Sequence, residues 1–125
     1  MTARALYEVL RFAVTQTDMS DEMARCVFDR AVKVLPDSWV VTHITPAAVA
    51  AFVANGLKTN KSGVERAHYV QRNRWQRELL QALRDGITFE AFEEHRRYCD
   101  RTVLTTRGEN RSSDDLTPEF IAACI

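Results

Sequence analysis

The chain has little of what usually announces a chemistry. Among its 125 residues are three cysteines, Cys26, Cys99 and Cys124. An odd number with no Cys-x-x-Cys spacing excludes a disulfide framework and a zinc knuckle. No cysteine stands beside a histidine, and no Gly-x-Ser-x-Gly elbow is present, so nothing marks a nucleophile. Glycine is scarce, at four residues. Gly56 and Gly63 follow neither the Gly-x-x-x-x-Gly-Lys-Ser/Thr nor the Gly-x-Gly-x-x-Gly order, which disfavours nucleotide hydrolysis on a phosphate-binding loop. No apolar run approaches the roughly 20 residues that span a bilayer. The first residues lack the basic-then-apolar order of a signal peptide, so the expectation is a cytoplasmic protein with no membrane partner. Net charge is absent too, since 17 basic residues balance 17 acidic ones. Internal repeats, low-complexity tracts and linkers are missing.

What remains is an ordinary globular composition, 46% hydrophobic and 27% charged. The length suits one core that holds without disulfides or structural metal, so residues 1–125 are expected to form a single domain. Charge is unevenly placed, however. Residues 58–77 hold Lys58, Lys61, Arg66, Arg72, Arg74 and Arg77 against the single acid Glu65, a local excess of five. Such a patch can contact nucleic acid or an acidic protein even when the total charge is zero.

Hydrophobic spacing and stop signals divide the chain. Leu6, Val9, Leu10 and Ala13, widened by Tyr7 and Val14, predict an amphipathic helix over 3–16. Ser20 reads as an N-cap, with Asp21 and Glu22 in the first turn and Met23, Val27, Ala31 and Val34 as the buried side, up to Pro36. Residues 39–44 are β-branched and aromatic, the first strand. Thr45-Pro46 opens a short, nearly uncharged helix that Gly56 closes. Residues 64–70 form a second strand, and a long helix over 73–85 points Trp75, Leu79, Leu80 and Leu83 inward. Thr88 caps the next helix, with Phe89, Phe92 and Cys99 toward the core and Glu93, Glu94, Arg96 and Arg97 toward water. Residues 101–106 give a third strand, and Thr117-Pro118 opens a terminal helix. The expectation is an α+β domain of five or six helices on a small sheet of about three strands, with Trp39, Phe52, Trp75, Leu79, Phe92 and Val103 in its core.

Two places could carry chemistry. His68 ends a strand inside the basic segment, where an imidazole could take a proton from water while arginines hold a phosphate. The alternative is a histidine that packs or hydrogen-bonds for structural reasons, the reading that also suits His43 on its strand face. His95 reads as solvated. The second place is the turn Gly108-Glu109-Asn110-Arg111, with Asp114 and Asp115 beyond it. Its oxygen ligands suit magnesium or manganese better than zinc, unless the turn merely caps an element.

Strand Val103-Leu-Thr-Thr106, the turn through Asn110 and the segment Asp114-Asp-Leu-Thr-Pro-Glu-Phe120 together resemble the closing half of an HNH, or His-Me finger, nuclease motif. Ala67-His68 resembles the opening half. The resemblance covers about thirty residues and implies His68 as general base, Asn110 orienting it or near the metal, and Glu109 or Asp114 completing a magnesium or manganese site. The chain departs from the motif at Thr106 and Glu109, where bracing cysteines often stand, and at Ala67, where an acid or histidine is usual. The leading expectation is a metal-dependent endonuclease whose segment 58–77 tracks phosphates. The alternative is a non-catalytic binding module for nucleic acid or an acidic protein. A third reading is a partner protein or homo-oligomer that docks through the Ala-rich helix from Ala47 to Phe52.

Overall fold

The computed structural model describes residues 1–58, 62–110 and 114–125. Among these the order is α1 (Ala3–Gln16), α2 (Asp21–Val32), β1 (Val41–Ile44), α3 (Pro46–Ala54), β2 (Val64–His68), α4 (Arg72–Arg84), α5 (Phe89–Cys99), β3 (Thr102–Thr106) and α6 (Pro118–Ala122). The fold is α+β, with six helices and one mixed three-stranded sheet among the described residues. The chain divides into two compact units: Met1–Ser38 with Arg72–Cys99, which is helical, and Trp39–Gln71 with Asp100–Ile125, which holds the sheet.

In the helical unit the caps stand where the sequence places them. Ser20 accepts the Met23 N–H at 3.2 Å and Thr88 accepts the Ala91 N–H at 3.2 Å, each satisfying a donor that a helix start leaves open. After α4 the chain turns at Gly86 with φ of +89°, a left-handed conformation that costs glycine nothing. Leu6, Leu10, Phe28, Trp75, Leu79, Leu80, Leu83 and Phe92 are buried. Their rings interlock, with Phe28 edge-on to Trp75 at 5.4 Å and stacked on Phe92 at 5.9 Å.

Three faces differ from expectation, the first being α1, where Val9 of the expected stripe is 50% exposed. Helix α2 turns Ala24, Phe28 and Val32 inward, while Met23 and Val34 are 56% and 65% exposed. It carries two apolar stripes one position apart, and the one holding Phe28 removes more apolar area from water. On α5, Glu93 and Arg96 are buried. They lie three residues apart and neutralise each other with bonds of 2.7 and 2.8 Å, so the charges enter the interior as a pair.

In the sheet unit the order is β1-β3-β2, with β1 parallel and β2 antiparallel to β3. The β2/β3 register runs from Val64 opposite Thr106 to His68 opposite Thr102. Backbone groups of Ile44 and Ile125 exchange hydrogen bonds of 3.2 and 2.9 Å, which satisfies part of the β1 edge. Thr45 caps α3, accepting the Ala48 N–H at 3.1 Å. Val103 is fully buried at the sheet centre. Trp39 and Phe52, expected in the core, are only partly buried. Strand β1 starts at Val41, because Trp39 adopts φ of 55° and cannot extend the pleat.

Candidate functional site

His68 is where strand β2 ends, as the sequence suggests, and its surroundings define what it can do. Its Nε2 lies 3.2 Å from Asp100 Oδ1, with the two side chains 9% and 2% exposed. Asp100 Oδ2 accepts the Trp39 N–H at 3.1 Å, and the Trp39 ring meets the imidazole edge-on at 4.5 Å. One carboxylate thus ties the imidazole to the turn before β1. A carboxylate accepts, so in the neutral ring the proton sits on Nε2 and the lone pair on Nδ1. A water-activating base needs that lone pair within reach of water, and here it sits on a side chain 9% exposed.

The register sets His68 and Asn110 apart. His68 faces Thr102 at the start of β3, whereas Asn110 follows the far end, its N–H donating to Thr106 O at 3.1 Å. Four residue steps along β3, at about 3.3 Å each, place roughly 13 Å of strand between those ends.

Glu109 closes the turn after β3. Its Oε1 accepts the Thr45 hydroxyl at 2.7 Å, the Thr106 N–H at 2.9 Å and the Thr106 hydroxyl at 3.1 Å. Burial works against the charged form, but these donors outweigh it and hold the carboxyl below the ordinary glutamate range. Glu109, Asp114 and Asp115 line one groove of about 190 Å³. Three donors already converge on one Glu109 oxygen, which suits a turn brace better than a ligand. Among the described residues no group of three or more His, Cys, Asp or Glu is arranged to hold a metal ion.

The basic segment is less free than its sequence suggests. Arg72 pairs with Asp29 at 3.4 Å, Arg74 with Glu78 at 3.5 Å and Arg77 with Glu22 at 3.2 Å, all within the helical unit. Lys58 and Arg66, in the sheet unit, are exposed and have no ion-pair partner among the described residues. Lys61 lies outside the described residues.

No protein-family model matches this chain, and neither a curated protein nor a solved structure matches it.

Two features escaped sequence reasoning. Asp100 stands thirty-two positions from His68, and only the β2/β3 register brings them together. A second cluster joins Thr42, His43 and Tyr69: the two hydroxyls lie 2.5 Å apart, and His43 Nδ1 is 2.8 Å from Thr42 and 3.3 Å from Tyr69. The Tyr69 side chain is buried, so this cluster satisfies its hydroxyl. Helix α3 was legible as uncharged, and the structure shows its consequence. Residues 46–57 carry no charge. Ala48 alone is buried on α3, while Val53 and Leu57 are 63% and 77% exposed. No described helix is long and apolar enough to cross a membrane.

Proposed function

We propose that this chain is a non-catalytic binding module for an acidic protein partner. The observation that carries the reading is α3. A helix apolar all round belongs in an interior, yet here Ala50 and Val53 form an exposed stripe on α3, and Leu57, in the left-handed turn that follows the helix, is exposed as well. Lys58 adjoins that stripe as a cation unpaired among the described residues. Apolar side chains beside an unpaired cation suit a protein interface, where an apolar centre is rimmed by charge. A phosphate backbone is held by cations and hydrogen-bond donors and makes no use of an apolar stripe. Support also comes from the residues of the nuclease reading. His68 and Glu109 are engaged as braces, and three of the expected phosphate contacts are neutralised by acids of their own unit.

A photo-crosslinking amino acid at position 53, in cells that produce the protein, tests this. The expected product is a discrete protein adduct, with more Asp and Glu than Lys and Arg around the crosslinked residue. Leu57→Glu should reduce its yield at least ~10-fold, the size of effect that a buried like charge produces at an interface. Adducts with nucleic acid, or with basic segments, would overturn the reading.

A further inference from the structure

Helix α2 and the turn after it carry a second apolar stripe that their own unit covers only in part, with Met23 and Val34 56% and 65% exposed and Val27 and Ala31 half-buried. Met23, Val27, Ala31 and Val34 recur at spacings of four, four and three, the pattern with which a helix buries one face. The core takes Ala24, Phe28 and Val32 instead. Cys26, Val27, Arg30, Ala31 and Val34 then form an open, nearly flat patch on one side of α2 and the turn after it. Arg30 is the one ionised side chain in that patch. It has no ion-pair partner among the described residues, whereas Asp21, Glu22, Arg25 and Asp29 of the same helix are all paired.

We infer that this face of α2 docks an amphipathic helix of a protein partner, one that carries a carboxylate within its apolar stripe. The apolar side chains supply a helix-on-helix packing contact. Arg30 supplies specificity, because a guanidinium brought out of water by that contact needs an anion, and a carboxylate meets its planar fork with two parallel bonds. The same residue argues against a second copy of this chain. In an antiparallel two-fold pairing of α2 with itself, the stripe's centre falls between Val27 and Arg30. The two Arg30 side chains would then stand about 4.5 Å apart along the axis, at 1.5 Å per residue. Like charges in that position suppress the pairing. This surface belongs to the helical unit and stands independently of α3.

The test uses the full chain and two synthetic helical peptides with leucines at stripe spacing, identical except for Glu or Lys at the stripe centre. Fluorescence anisotropy should show the Glu peptide binding with a micromolar Kd, roughly tenfold or more tighter than its Lys twin. Arg30→Glu should invert that order, and Val34→Asp should weaken both peptides. Both positions are exposed, so circular dichroism of the variants should match wild type. Equal affinities, a preference untouched by Arg30→Glu, or no binding of either peptide at ~1 mM, the weak end of specific recognition, would overturn the inference. So would a wild-type dimer that Val34→Asp dissolves, which would assign the face to a second copy. Binding to phosphatidylglycerol–phosphatidylcholine vesicles that Val34→Asp abolishes would assign it to a membrane surface and overturn the inference equally.

Discussion

Arg96 is the most exacting place to perturb the fold. Its side chain is 0% exposed, and its guanidinium forks onto Glu93, Nε to Oε1 at 2.7 Å and Nη2 to Oε2 at 2.8 Å. Nη2 also reaches both Asp37 oxygens at 3.1 Å. Arg96→Ala removes the cation and leaves the Glu93 carboxylate, 9% exposed, without its main partner. Arg97 Nε lies 3.5 Å from Glu93 but is 64% exposed, so it compensates little. Deleting one member of a buried pair costs about 3–5 kcal/mol. With a urea dependence near 2 kcal/mol per molar, the unfolding midpoint should fall by roughly 2 M. The double variant Arg96→Met with Glu93→Leu keeps the volume and removes both charges. It should recover to within about 1 kcal/mol of wild type, because apolar replacement of a buried pair is often neutral. A loss below about 1 kcal/mol for Arg96→Ala, or a double variant no better than the single one, would refute the reasoning.

Trp75→Ala and Leu79→Ala should each cost roughly 2–5 kcal/mol in chemical denaturation, whereas Met23→Ala should stay within about 0.5 kcal/mol; equal losses would mean that the α2 faces are misassigned. Glu109 should couple stability to pH. Its folded pKa is lowered from the ordinary value of 4.5. Its stabilisation is therefore fully present above the unfolded pKa and lost as pH falls through the folded one. Glu109→Gln should be less stable than wild type at about pH 7, with the gap closing toward about pH 3, and a gap constant over that range would rule the brace out.

Local signals in the sequence were reliable where one residue decides the outcome. Ser20, Thr45, Thr88 and Thr117 each accept the N–H three residues on, and Gly86 turns the chain after α4. A cap is a contact between near neighbours, so its parts are all visible in one window. The failures are cases where distant partners decide. Helix α2 offers two stripes of similar hydropathy, and only the aromatic contacts of Phe28 with Trp75 and Phe92 select between them. Glu93 and Arg96 read as solvated because their burial needs each other's charge and that of Asp37, fifty-nine positions from Arg96. The excess of charge over 58–77 fades because Glu22 and Asp29, outside that window, fold against Arg77 and Arg72. Chemistry was least legible. The sequence marked His68 and Asn110 but held no signal for strand register, which ties His68 to Asp100 and leaves Asn110 at the other end of β3.

Whether His68 braces or catalyses is decided by one paired measurement: plasmid DNA and single-stranded RNA cleavage in magnesium or manganese, for wild type and His68→Ala, beside the unfolding free energy of each. The prediction is no metal-dependent cleavage by wild type, and a loss of about 1–3 kcal/mol in His68→Ala as the buried Asp100 carboxylate gives up its imidazole partner. Wild-type cleavage that a chelator silences, falling at least ~100-fold in a His68→Ala variant of unchanged stability, would contradict it and make His68 a general base.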